Sequence, residues 1–235
     1  MSIWGKLAAV ELLAVGPIAA LLGDRGVPDD RGKRQDQLAE NQVAFTVGVI
    51  VLGAKMAKAD GVVTADEVHA FKAAFKVSNA EMKQAARVFN LAKRDVTGYE
   101  ACAEQLVIVF KGNRKLLGDV LEGLFHIAKA DEALHPQEEQ FLGQVARRFG
   151  FTDTEFRSIR ARHVVDAKRN PYEVLGLGPS VSDEELKSQY RALVADNHPE
   201  QLIARGVPEE FVTIAIEKVA SINEAYDAIA KQRGI

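Results

Sequence analysis

An all-α fold is predicted for this chain, on three observations. Hydroxyl residues stand three positions ahead of glutamates at Thr64…Glu67, Ser78…Glu81, Thr97…Glu100, Thr152…Glu155 and Ser182…Glu185. This is capping-box spacing, in which the hydroxyl accepts from the third amide of a helix and the acid reaches back to the cap amide. Between these starts, apolar residues recur at helical spacing, as in Val68, Phe71 and Phe75 or Phe141, Val145 and Phe149, so each helix has a side to bury. The third observation is an internal repeat. Ala57-Lys58-Ala59-Asp60 returns as Ala128-Lys129-Ala130-Asp131, and the run from Phe75 to Met82 returns from Phe149 to Phe156. Together they predict a duplicated bundle of about seven helices over 42–166 and a smaller helical hairpin over 170–235.

The segment before the bundle reads differently. Leu7 to Leu22 is apolar except for Glu11 and Gly16-Pro17, about 24 Å of helix against a hydrocarbon core of about 30 Å. Extending it back to Ile3 spans the bilayer by including Lys6, which can snorkel, while Trp4 suits the interface. Arg25, Arg31, Lys33 and Arg34 follow the run and Lys6 alone precedes it, so insertion leaves everything downstream in the cytosol. Residues 1–23 are thus a candidate membrane anchor, with lipid contacts over residues 3–22. The alternative is a helix packed on the body of the protein or in a homodimer. Residues 24–41, with Gly26-Val27-Pro28-Asp29-Asp30, read as a flexible linker.

Bulk properties narrow the function. The chain has 235 residues, 47% hydrophobic, with a net charge of −3. That is enough for one large or two modest cores, and it gives no basis for nucleic-acid binding through phosphates. Cys102, the single cysteine, can form no internal disulfide and lies in an apolar helical run that favours packing over reactivity. No zinc spacing, phosphate-binding loop or nucleophile–histidine–acid pattern stands out, so neither an enzyme nor a cofactor is expected.

The Ala-Lys-Ala-Asp corners, each followed by an acidic helix start, resemble the TerB-like domain of tellurite-resistance and related proteins. The resemblance implies that Asp60, Glu67, Asp131 and Glu138 meet across the pseudo-twofold and hold a cation. The residues themselves offer capping as the competing role, and Met56 and Lys58 at the first ligand positions exclude an EF-hand loop.

In the last segment, Pro171 suits the first turn of a short helix that Gly176 ends, and Ser182 opens a helix carrying Leu186, Tyr190, Leu193 and Val194 on one side. His198-Pro199 stops it, and Pro208 stands at the start of a long helix with Phe211, Ile214, Ala215, Val219, Ile222, Tyr226 and Ile229 inward. Two antiparallel helices joined by an exposed, stiff loop follow. Tyr172 and Leu175, Lys187…Tyr190-Arg191…Leu193, His198-Pro199 and Ile222-Asn223-Glu224-Ala225-Tyr226 stand as they do in J-domains. The loop from Asn197 to Phe211, and the order of hydrophobic start, TerB-like middle and J-domain end, resemble the DjlA branch in particular. The resemblance implies a core of Tyr172, Leu175, Leu186, Tyr190, Leu193, Ile222, Ala225 and Tyr226. It also implies that Lys187, Arg191, His198, Pro199 and the following acid contact a DnaK-type chaperone and promote its ATP hydrolysis.

Two positions depart from the pattern. Glu200 replaces the family's aspartate, and its extra methylene moves the carboxylate by roughly 1–1.5 Å, more than site geometry often tolerates. Asp196-Asn197 ends the second helix where relatives usually place a basic residue. Over 170–235 there are six Lys and Arg against eleven Asp and Glu, a face that steers weakly toward an acidic partner. Three readings therefore stand: a membrane-tethered co-chaperone, a J-like scaffold that docks without stimulating, and a metal-responsive TerB-like binding protein.

Overall fold

A computed structural model of the chain describes residues 30–59, 98–129, 134–164 and 169–235. Among them are nine α-helices, one 3-10 turn and no strand. In chain order the helices are α1 (Asp30–Ala59), α2 (Tyr99–Val109), α3 (Arg114–Ala128), α4 (Pro136–Arg148), α5 (Asp153–His163), α6 (Pro171–Val174), α7 (Asp183–Asp196), α8 (Pro199–Arg205) and α9 (Val212–Arg233), with the 3-10 turn at Glu209–Phe211.

The bundle is built around α1, which is buried at every position from Val43 to Ala57. A helix apolar on all sides belongs at the centre of a fold or in a membrane. Gln37–Ala57 is indeed long and apolar enough to cross one, but 67% of that stretch is buried inside the protein. Helices α2, α3 and α4 surround it. Close approach of α2 depends on Gly48, where a Cβ would meet the Leu106 methyl carbons at 2.7 Å. Residues 30–41 correct one expectation, since α1 runs through the stretch read as a linker. Extending an existing helix costs far less than nucleating one, and the buried turns of α1 supply the nucleus. The candidate anchor at residues 3–22 lies outside the described residues.

Helix starts follow the capping logic where it can be followed. Thr152 and Ser182 each accept from the third amide while Glu155 and Glu185 accept from the cap amide. His135 accepts instead from the second amide, that of Gln137, while Glu138 accepts from the His135 amide. Helix α2 is different: it begins at Tyr99 behind Gly98, which has φ 88° and no side-chain cap. Glu100 falls too early there to close the box expected with Thr97. The pairs Thr64–Glu67 and Ser78–Glu81 lie outside the described residues.

The C-terminal segment is divided between two cores. Tyr172, Val174, Leu175, Leu186, Ile222, Ala225 and Ile229 form a small one with Ala161 of α5. Leu202, Val207, Phe211, Ile214 and Ala215 instead join the large core around α1, where Phe211 meets Phe45 edge-on at 4.8 Å between ring centres. The loop expected between the two long helices is therefore itself helical. His198-Pro199 ends α7 and opens α8, because proline lacks only an amide that a first turn does not use. Leu202→Ala should lower the free energy of unfolding by about 2–4 kcal/mol, measured as a shift in the urea midpoint of the whole chain.

Candidate functional site

The tip at His198–Glu200 projects from the junction of α7 and α8. Helix α7 ends with Asn197 buried, its Nδ2 donating to the Leu193 carbonyl at 2.7 Å. His198 caps α8 with extended backbone, and its carbonyl accepts from the Gln201 amide at 2.9 Å and the Leu202 amide at 3.2 Å. With the backbone so engaged, the side chains are free to face outward. His198 is 58% exposed and Glu200 86%, with Nδ1 and Oε2 4.0 Å apart. Lys187 and Arg191 stand one turn apart on α7, half-buried and exposed respectively. The cations thus stand along α7 and the tip just past its C-terminal end.

Behind the tip, Tyr172, Leu175, Leu186, Ile222 and Ala225 are buried. Tyr190 and Tyr226 are half-buried and stack at 4.1 Å between ring centres, with the Tyr190 hydroxyl 3.1 Å from Asn223 Oδ1. Leu193 packs against the same cluster from its edge. Arg233 closes the far end: its Nε donates to the Tyr172 hydroxyl at 2.9 Å and its Nη1 to Asp183 at 2.7 Å. These contacts make α6, α7 and α9 one rigid support.

A buried ionic cluster, invisible to motif reading, joins this support to the bundle. Asp119 and Glu122 lie three apart on α3 and are 6% and 2% exposed. Arg205 of α8 grips Asp119 with Nε at 2.6 Å and Nη2 at 3.0 Å, a bidentate geometry. Glu122 receives Arg162 of α5 at 2.8 Å and Lys218 of α9 at 2.9 Å, and His163 Nε2 is bonded to its second oxygen. Burial alone raises the Glu122 carboxyl, but Arg162, Lys218 and His163 outweigh it and hold the group well below the usual carboxylate range. Burial pushes Asp119 up, with Lys218 and Arg205 offsetting part of that effect. His163 is lowered by burial, which Glu122 only partly counters. The signal in the sequence was two acids inside Leu116–Ala128, an otherwise apolar run with no surface face to spare.

Of the candidate metal ligands, Asp60, Glu67 and Asp131 lie outside the described residues. Glu138 is buried, and its carboxylate accepts from the His135 amide at 2.9 Å to complete the helix cap. Among the described residues no group of three or more His, Cys, Asp or Glu is placed to hold a metal ion. Cys102 is buried and its thiol is pushed up to about 12 by that burial.

A short helix, a capped helix ending in an exposed His-Pro-acid tip, and a long returning helix make the C-terminal unit a J-domain, carried here on a helical bundle. The family model described as "DnaJ domain" matches residues 170–233, and that of "Tellurite resistance protein TerB" matches residues 46–161. Several curated relatives are each named co-chaperone protein DjlA. The one from Vibrio cholerae is 31% identical over 84% of this chain and 81% of its own length. That from Coxiella burnetii is 29% identical over 98% of both, and that from Photobacterium profundum 29% identical over 90% and 84%. The chain belongs to the DjlA co-chaperone family. No solved structure matches it.

Two consequences of the cluster can be measured. Glu122→Gln leaves Arg162 buried without its counter-charge and Lys218 with only Asp119 at 3.9 Å, and should cost about 3–5 kcal/mol in urea unfolding. Because His163 is lowered in the folded state, its contribution is full above the ordinary value of 6.5 and is lost as pH falls through the folded value. Glu122, also lowered, adds a loss at more acidic pH. The unfolding temperature should therefore fall between about pH 7.5 and about pH 5, with a shallower slope for His163→Gln; His126, lowered for the same reason, retains part of it.

Proposed function

We propose that this chain docks its His198–Pro199–Glu200 tip and the Lys187/Arg191 face of α7 on a DnaK-type chaperone and stimulates that partner's ATP hydrolysis. The observation that carries the reading is the exposure of both tip side chains on a junction where the His198 carbonyl accepts from two amides of α8. Glu200 directs the carboxylate, His198 and Pro199 fix the turn, and the two cations meet acidic surface on the partner. The J-domain performs no bond chemistry of its own. Residues 1–23 tether the protein to the inner membrane with the bundle and J-domain in the cytosol, a reading supported by the apolar run to Leu22 and the cations after it.

A second reading, a docking scaffold that does not stimulate, is favoured by Glu200 in place of aspartate and by the six-to-eleven excess of acids over 170–235. A steady-state ATPase assay separates the two. Wild-type chain should raise the partner's hydrolysis and His198→Gln should return it to the partner's own rate. Glu200→Asp should raise stimulation several-fold if the added methylene holds the carboxylate off its target. Binding of the wild type without any rise above the His198→Gln control would establish the scaffold instead. For the tether, the full chain should sediment with membranes and a chain lacking residues 1–23 should not.

A further inference from the structure

We propose that Lys115 and Asp119, on α3 of the TerB-like unit, are positioning residues for the His198–Pro199–Glu200 tip. The inference rests on the docking role proposed for that tip. The tip joins two chain ends, Asp196 at the close of α7 and Arg205 at the close of α8. Each is held from α3: Lys115 Nζ lies 2.8 Å from Asp196 Oδ1, and Asp119 accepts both Nε and Nη2 of Arg205. Lys115 and Asp119 are four apart, so they stand one above the other on the same face of the helix. The ring is closed within the J-domain by Arg205 Nη1, which donates to the Asp196 carbonyl at 2.7 Å. Three polar links thus join α3, α7 and α8 into one frame.

Everything the tip owes its direction to lies at its base. Its own side chains face solvent, whereas Leu202 beneath it is 3% exposed and belongs to the core around α1. The floor is tight as well: Gly206, at φ 107°, sits where a Cβ would come within 2.5 Å of Asn41 Cβ, and Asn41 Nδ2 donates to the Arg205 carbonyl at 3.4 Å. Arg205 spends three nitrogens on three oxygens of two residues in fixed planar geometry, which the point charge of a lysine cannot reproduce. Loosening the frame leaves the tip chemically intact but oriented for docking a smaller fraction of the time. Apparent affinity for the partner falls by that fraction, while the complex, once formed, works as before.

The test uses the full chain in two measurements, hydrogen exchange along the backbone and titration of a DnaK-type chaperone's ATPase. Arg205→Lys and Asp119→Asn should speed exchange across residues 199–207 and raise the half-maximal concentration roughly 10-fold, the scale of a hydrogen bond to a charged group. The maximal rate should hold within about twofold, since only the competent fraction changes. Lys115→Glu, a change at a half-exposed pair that the fold tolerates, should move both readouts the same way by less. Lys115→Glu with Asp196→Lys should restore them. The proposal is overturned if exchange at the tip is unchanged, if it rises uniformly through α1 and α3, or if a loosened tip keeps the wild-type half-maximal concentration. A wild-type chain that neither binds nor stimulates would instead remove the docking role itself, and the clamp with it.

Discussion

Two carboxylates buried on one apolar helix constrain the C-terminal half of this protein. An ionised group stripped of water must be met by opposite charge and hydrogen bonds or it is not tolerated. Asp119 and Glu122 draw those partners from three different helices: Arg162 on α5, Arg205 on α8 and Lys218 on α9. Because each cation arrives on its own element, satisfying the pair fixes where all three elements sit against α3. Apolar packing of Leu202, Phe211 and Ile214 supplies bulk attraction, but it is tolerant of rotation and sliding. The ionic contacts are directional, and they select one arrangement among those the packing would accept.

How much of this was readable beforehand depends on the range of the interaction. The capping boxes at Thr152 and Ser182 are local, three residues long, and the structure has both. The inward positions of α6, α7 and the second half of α9 follow from periodicity and fall in one cluster, whereas Ile214 and Ala215 of α9 turn to the core around α1. Boundaries decided by distant contacts were misread. Residues 30–41 look polar and mobile, and only the buried helix they continue makes them helical. His198-Pro199 reads as a stop, yet Leu202 buried three residues later rewards another turn. Glycine at 98 overrides the threonine before it. The ionic cluster could not be assembled in advance, since its members span residues 119 to 218 and sequence order does not say which cation meets which acid. Intensity of burial around Asp119 and Glu122 was the available hint.

The electrostatics of the J-domain look different once the bundle is included. By itself the segment from 170 onward is acidic, and Asp196 stands at the end of the helix proposed to face the partner. In the folded chain Lys115 meets Asp196 and Arg205 is committed to Asp119. Local charge near the tip is therefore a property of two units together, and counting one of them misjudges what a partner encounters.

The partition of the C-terminal segment between two cores bears on how such a protein can be inherited. Severing the chain at the natural family boundary near residue 170 would carry Leu202, Val207, Phe211 and Ile214 away from the helix that covers them. The liberated piece would present an oily flank along with two unmatched cations, Arg205 and Lys218, and the bundle left behind would keep Asp119 without its neutralising arms. Neither fragment is a finished module. Shuffling of this J-domain onto other proteins is thereby discouraged, and lineages that keep one half are under pressure to keep the other.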